Sequence, residues 1–200
     1  KNKIKTADYA VIYTPFNTKG ETSSAKASYI ANTGLGIIQA NLYRNWMQTV
    51  AIAPGMSLPV KNAVTVAQLE DLFKIGNDHI IRLQTEYRHN QLSGILSEGA
   101  EVSYDVYAAG SMWNWQIRDD LGWTNALRLD HLILERTGPL APNALIASND
   151  GFDQELTELS YNSGLVWNAT EHDTFRLMTA RGVQAPSLVD YGLDLNFGPV

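Results

Sequence analysis

The sequence of 200 residues contains no cysteine, which excludes disulfide scaffolds, thiolate metal sites and cysteine nucleophiles. It also lacks any run approaching the roughly 18 consecutive apolar residues of a transmembrane helix. Charged residues make up only 18% of the chain and the formal net charge is −6, so there is no basic excess to indicate a nucleic-acid partner. The apolar fraction of 44% is nevertheless too high for a disordered chain. These absences leave a folded protein that does not bind nucleic acid.

Apolar and polar residues alternate along most of the chain. The clearest segment lies between Asp78 and Asn90, where the apolar or neutral residues are Ile81, Leu83, Thr85 and Tyr87 and the polar residues are Arg82, Gln84, Glu86 and Arg88. A period of two places the two sets on opposite faces of a β-strand. Comparable alternation recurs in residues 6–13, 25–31, 38–46, 123–133, 159–168 and 174–177. The sequence therefore predicts an all-β chain of about nine antiparallel strands.

Two segments are open to more than one interpretation. Residues 65–75 combine a capping box and helical spacing with an alternating face, and we favour a strand because it preserves the order of short and long connections. In residues 100–117 the apolar side changes from even positions, beginning at Val102, to odd positions, ending at Ile117. One extra residue near Ala109–Gly110 would restore the alternation, so we predict a β-bulge there within a single long strand.

Short and long connections alternate between the predicted strands. Short turn signals occur at Asn32–Gly34, Ile75–Asp78, Arg118–Asp120 and Asn168–Asp173. Longer connections that contain proline or glycine occupy residues 48–63, 90–99 and 135–157. In an up-and-down sheet this order places all the short turns at one end. No internal repeat or linker marks a domain boundary.

Strict alternation is typical of two kinds of β protein, a soluble sandwich and a transmembrane barrel. Several predicted strands span about 11 to 18 residues, whereas globular strands usually have about 5–6 and a tilted transmembrane strand needs about 9–11. Tryptophans fall near both ends of the predicted sheet, as in the aromatic girdles of a membrane barrel. Near the short turns these are Trp113, Trp115, Trp123 and Trp167, and near the other end Trp46. We therefore favour an antiparallel up-and-down transmembrane β-barrel, present in part, over a secreted sandwich that binds glycans through Trp and Tyr.

Candidate sites for chemistry are few. The four histidines lack the spacing of a metal motif, residues 149–155 do not match a calcium loop, and no serine-nucleophile motif occurs. Glu86 and Asp130 are the residues that a β-rich glycoside hydrolase would use, but each lies beside an arginine on a polar strand face. Cross-strand ion pairing accounts for them more simply. We therefore expect no catalytic residue, no metal and no cofactor.

Three segments carry recognisable motifs. The first combines LVWN at 165–168, DTFRL at 173–177 and RGVQAPSL at 181–188; the second combines MWNWQI at 112–117 with LRLDH at 127–131; the third is 79–90, ending in EYRHN. Together they resemble barrel strands of TonB-dependent outer-membrane receptors, over roughly residues 64–190. The plug domain and the TonB box of that family have no counterpart in this chain. The resemblance implies that residues 1–200, which begin without Met, form part of a larger barrel.

The resemblance also implies a function and partners. Such receptors sit in the outer membrane of Gram-negative bacteria and import a scarce small-molecule ligand, such as an iron–siderophore complex or cobalamin, with energy supplied through the TonB complex. Outer-membrane lipid, a plug domain and the remaining barrel strands would be further partners. Residues 48–63, 135–157 and 185–200 would be extracellular loops. The residues expected to face the lumen, in contact with plug or ligand, are Arg82, Glu86, Arg88, Arg128, Asp130 and Arg176; the five tryptophans are expected at the lipid interfaces.

Overall fold

Nine β-strands follow one another along the described residues and pair in sequence order. The computed structural model describes residues 2–9, 15–53, 56–94, 99–140, 148–184 and 187–188. The strands are β1 (Asn2–Tyr9), β2 (Pro15–Asn32), β3 (Gly36–Ala53), β4 (Met56–Ile75), β5 (His79–Ser93), β6 (Glu101–Arg118), β7 (Leu121–Thr137), β8 (Gln154–Asn168) and β9 (Thr174–Arg181). A single turn of 3₁₀ helix, Asn149–Gly151, lies between β7 and β8. Among these residues no helix is long and apolar enough to cross a membrane.

Every neighbouring pair of strands is antiparallel, and the nine strands form one open sheet. Strands β2, β3 and β6 have 18 residues each and β4 has 20, about three times the usual globular strand. The prediction of an all-β, up-and-down sheet is therefore confirmed, and the ambiguous residues 65–75 belong to a strand. The alternative of a two-sheet sandwich fails, because the described strands form one sheet with no second sheet against it.

The short turns all lie at one end of the sheet, as predicted. They connect β2 to β3, β4 to β5, β6 to β7 and β8 to β9. In the first, the Thr33 side-chain oxygen accepts hydrogen bonds from the backbone N–H groups of Leu35 and Gly36, at 3.3 and 3.0 Å. In the second, Gly76 adopts a φ of 63°, a left-handed conformation that glycine reaches without steric cost. We call this end of the sheet the turn end and the other the loop end.

The predicted loop at 48–63 is wrong, because most of it is strand. The β3–β4 hairpin keeps an unbroken register from Gly36 opposite Phe73 to Ala53 opposite Met56. Proline had suggested a loop, but Pro59 pairs with Val50 in the part of β4 that extends beyond the end of β5. A strand edge without a neighbour tolerates the missing N–H of proline. The predicted loop at 135–157 is likewise shorter, since β7 continues to residue 137 and β8 begins at residue 154; residues 141–147, and 185–200 apart from 187–188, lie outside the described residues.

The predicted bulge at Ala109–Gly110 is also wrong. These two residues pair in continuous register with Thr85 and Gln84 of β5, and the irregularity in β6 lies instead between Gln116 and Arg118. The strand does run unbroken through residues 101–118, as expected. The apolar residues of β6 change from even to odd positions for a different reason. Those near one end of the sheet lie on one face, and those near the other end lie on the opposite face.

One face of the sheet exposes most of the large apolar side chains. The register aligns Leu83 with Ser111, Ser111 with Leu127, and Leu127 with Tyr161, so the odd-numbered residues of β5–β9 share this face. Its exposed members include Leu42, Leu69, Leu83, Leu127, Leu129, Leu159 and Leu177. We call it the apolar face, and the opposite one, which carries most of the charged residues of β5 and β7, the network face.

The buried core lies on the network face, towards the loop end. It consists of Leu92, Val102, Val106, Ala108, Leu132, Leu134 and Leu188. Six of these residues come from β5, β6 and β7, whereas Leu188 comes from the chain beyond β9 and is only 5% exposed. The chain therefore returns across the network face after β9, which explains why Val102 and Val106 are apolar at even positions.

Candidate functional site

Four of the predicted lumen residues meet on the network face. The register places Glu86 of β5, Ala108 of β6 and Asp130 of β7 in one row across three strands. Arg88 lies two residues further along β5, towards the loop end, and Arg128 lies two residues from Asp130, towards the turn end. Residues two apart on a strand share a face, so the alternation seen in the sequence brings both arginines to the two carboxylates.

Glu86 is the centre of this ion-pair network. Its side chain is 3% exposed and accepts hydrogen bonds from Gln68 Nε2 at 2.6 Å, Arg88 Nη2 at 2.9 Å and Arg128 Nη2 at 3.1 Å. Arg128 also donates from Nε to both carboxylate oxygens of Asp130, at 2.9 and 3.1 Å. A buried carboxylate is stable only when it is paired and hydrogen-bonded, and Glu86 meets both conditions.

Small residues on β6 make the longest of these contacts possible. Arg128 belongs to β7 and Glu86 to β5, so the guanidinium must cross the intervening strand. The network-face residues of β6 at this level are Ala108 and Gly110, which pair with Asp130 and Arg128 respectively. Neither has a side chain large enough to block the crossing.

The two other predicted lumen residues lie apart from Glu86. Arg82 is on the network face nearer the turn end, where its Nε lies 3.3 Å from a carboxylate oxygen of Glu70. Arg176 is on β9, the last strand of the described sheet, opposite Val166, and is exposed. The structure thus brings together four of the six predicted residues, with all six on one face.

Three of the predicted interfacial tryptophans form one cluster on the apolar face at the turn end. The rings of Trp113 and Trp115 stack with centroids 5.4 Å apart, and Trp123 lies 5.9 and 6.2 Å from them. His79 joins the cluster, since Trp113 Nε1 donates to its Nδ1 at 3.1 Å. Trp167 lies at the same end, stacked on Phe175 at 5.7 Å.

A second aromatic group lies on the same face nearer the loop end. The Tyr87 and Tyr107 rings are 5.3 Å apart, and Arg44 lies 5.1 Å from the centre of the Trp46 ring. Tyr107 and Trp115 are eight residues apart on β6. At ~3.4 Å per residue and a strand tilt of ~40°, this spacing corresponds to roughly 21 Å along a membrane normal, close to the apolar band of about 25 Å in membrane barrels.

The sheet is similar to part of a solved structure. A crystal structure of the ferric-catecholate import receptor Fiu from E. coli K12, in its open form, matches 86% of this chain with a TM-score of 0.60 and 13% identity. The sheet has the fold of part of a β-barrel. The match spans 37% of the receptor chain. Comparison with protein-family models gives no match, and neither does comparison with curated proteins.

The partial barrel also contains a buried arginine, Arg136, that the sequence patterns did not indicate. Arg136, near the end of β7, is only 2% exposed. It donates to Asn149 Oδ1 at 2.6 Å and to the Pro139 carbonyl at 3.2 Å, and its guanidinium lies 5.1 Å from the centre of the Phe152 ring. No local pattern marks the contacts with Asn149 and Phe152, because both residues lie more than ten positions beyond Arg136 in the chain. Since the Asn149 side-chain oxygen is already an acceptor for Arg136, residues 149–155 are poorly suited to a calcium site.

The histidines are separate from one another in the barrel sheet. His89 Nδ1 lies 2.9 Å from Asp105, which also accepts a hydrogen bond from Tyr87 at 2.7 Å, and His131 contacts Thr157. Within the described ranges, no three His, Asp or Glu side chains lie close enough to hold a metal ion.

The alternation of residues 65–75 could have revealed Gln68 as a partner of Glu86, but only once the β4–β5 register was known.

Proposed function

We propose that this chain is part of the barrel of a TonB-dependent receptor that imports a small-molecule ligand across an outer membrane. The observation that carries the proposal is how the side chains are distributed between the two faces of the sheet. Large apolar side chains are exposed on one face, while the ion pairs and the buried core lie on the other. Leu127 is 53% exposed and Leu129 is 49% exposed at the centre of the apolar face. Contiguous apolar surface of this extent is typical of contact with a membrane or with another protein.

Two features favour lipid over a protein partner for the apolar face. Aromatic groups lie at both ends of the apolar residues, at a spacing near the thickness of a membrane barrel's apolar band. The strands are also long enough to cross a bilayer obliquely, and an up-and-down topology suits a barrel wall. In this proposal the five tryptophans and Tyr107 lie at the two lipid interfaces.

The network face is then the wall of the lumen. Glu86, Arg88, Arg128 and Asp130 are linked by ion pairs, which suits contact with a plug domain or a passing ligand rather than proton transfer. Glu86 is too buried to reach a substrate, and Asp130 is held by Arg128. We therefore propose a transport role without catalysis, in which the remaining strands, the plug and the TonB complex are supplied from outside these 200 residues.

The ligand class can be tested directly. Fiu is described as a ferric-catecholate import receptor, and a ferric siderophore is therefore the first ligand to test here, with cobalamin as the second. The gene that encodes this chain would be expressed in Gram-negative cells with and without TonB, and the uptake of radiolabelled ferric catecholate and cobalamin measured. We expect the protein in the outer-membrane fraction and uptake only where TonB is present. Recovery in the soluble fraction would refute the proposal, as would uptake that does not depend on TonB.

A further inference from the structure

A cavity of about 610 Å³ lies on the network face, next to the ion-pair network but towards the loop end. It has an apolar wall and a charged wall, formed respectively by Val106, Leu132 and Leu156 and by Arg88, Arg128 and Asp130. Its volume is within the range of about 300–1,000 Å³ that is usual for small-molecule sites. Neither the ion pairs nor the apolar face accounts for it.

The strand register explains why apolar and charged walls meet here. Arg88 pairs with Val106, Val106 with Leu132, and Leu132 with Leu156, so one row across four strands is charged at one end and apolar along the rest. The next row towards the turn end contains Asp130 and Glu158, which also line the cavity. A molecule lying along the first row would meet apolar side chains and a guanidinium in succession.

The Arg88 side chain borders this cavity. Its Nη2 donates to Glu86 at 2.9 Å, but its Nε is buried and has no acceptor among the described residues. Because the Nε atom is buried, an acceptor on another molecule cannot reach it, and the part of the guanidinium that borders the cavity lies further out along the side chain. The side chain as a whole is 38% exposed, which leaves the guanidinium within reach of the cavity.

The chain beyond β9 forms the rim of the cavity. Gly182, Val183 and Gln184 line it directly, and a few residues later Leu188 is buried among Leu132 and its neighbours in the core. Leu188 therefore anchors the segment that bounds the cavity. If the anchor were lost, the rim would no longer be held against β7.

We propose that this cavity binds a small amphipathic molecule with an aromatic or aliphatic body and a carboxylate. The body lies against Val106, Leu132 and Leu156, and the carboxylate pairs with the exposed part of the Arg88 guanidinium. A carboxylate suits a guanidinium because its oxygens match the planar donors and the hydrogen bond is charge-assisted. The site depends on the geometry of the network face alone, so it stands whether or not the protein transports a ligand with the help of TonB.

The probe for this site is 4-(trifluoromethyl)benzoate, with binding followed by fluorine NMR. The protein that carries this chain would be titrated in detergent micelles, and micelles without protein would correct for partitioning of the probe. We expect saturable binding, at least tenfold weaker after Arg88→Gln and unchanged after Lys61→Gln, whose exposed side chain is on the opposite face. The uncharged 4-(trifluoromethyl)benzamide should bind at least tenfold more weakly than the benzoate.

A second pair of variants tests the apolar wall without disturbing the ion pairs. Leu156→Trp adds volume at the partly exposed edge of the cavity and should abolish binding, whereas Leu159→Trp, on the apolar face of the same strand, should leave it unchanged. Binding that survives both Arg88→Gln and Leu156→Trp would overturn the proposal. Absence of saturable binding to the unmodified protein would also overturn it, because the cavity would then be closed or filled by another part of the protein.

Discussion

The ion-pair network predicts that removal of the Glu86 carboxylate lowers the stability of the protein. Glu86→Ala leaves two guanidinium groups and the Gln68 amide without their shared acceptor. Removing one partner of a buried ion pair costs about 3–5 kcal/mol, because the other charge stays buried and unpaired. The cost here should be near the lower end, about 3 kcal/mol, since Arg128 keeps Asp130 and Arg88 can turn towards water.

Two comparisons separate this effect from a general loss of charge. Glu86→Gln keeps the shape and an acceptor oxygen but loses the charge, so it should cost about 1–2 kcal/mol. Glu70→Ala removes the partner of Arg82 in a more exposed pair and should cost at most about 1 kcal/mol. The free energy of unfolding would be measured by urea titration in lipid vesicles, with tryptophan fluorescence as the signal.

A double-mutant cycle then tests whether the Arg128–Glu86 contact across β6 contributes to the free energy of unfolding. Glu86→Ala and Arg128→Ala should be coupled by at least about 1 kcal/mol, because the two side chains are in direct contact. A Glu86→Ala cost no greater than that of Glu70→Ala would refute the reasoning, and so would a coupling energy indistinguishable from zero.

Three further variants test other parts of the sheet. Leu127→Arg, on the apolar face, should cost about 2–4 kcal/mol in folding from urea into lipid vesicles, and equal stability would contradict the assignment of this face to lipid. Ala108→Leu should block the bridge across β6 and cost about 2 kcal/mol, like other overpacked sites, whereas Ala109→Leu on the opposite face should change the unfolding free energy by less than about 0.5 kcal/mol. Leu188→Asp should cost about 3 kcal/mol, because it places a carboxylate in the apolar core, whereas Val183→Asp at an exposed position should be nearly neutral; similar unfolding midpoints for the two would argue against the anchor.

Much of the fold could be predicted because the alternation of residue types is a local property. The period of two in residues 78–90 indicates a strand and assigns Glu86 and Arg88 to the same face without any knowledge of their neighbours. The mistaken predictions arose where a local signal has two physical causes. Proline at 59 indicates either a loop or a strand edge, and only the extension of β4 beyond β5 distinguishes them. The apolar phase change in residues 100–117 indicates either a bulge or a second apolar surface.

The candidate site was predictable only in part. The sequence placed six charged residues on one face, but their partners depend on which residues lie opposite one another across strands. Gln68 becomes a partner of Glu86 through the β4–β5 register, and Arg128 reaches it only because β6 presents Ala108 and Gly110 in between. Arg136 was not found at all, since its contact with Asn149 joins residues 13 positions apart in the chain.

By itself, the sequence determined most of the strands, the turn end and the two faces of the sheet, because the pleated backbone places alternate side chains on opposite faces. Only the tertiary structure decided which charges pair, that the core lies beneath Leu188 on the network face, and that the apolar face has no covering sheet among the described residues. These features depend on register and on contacts between residues far apart in the chain, which no short sequence pattern encodes. The composition is that of an ordinary folded protein, but the apolar residues are exposed on one face of the sheet and buried in a core on the other.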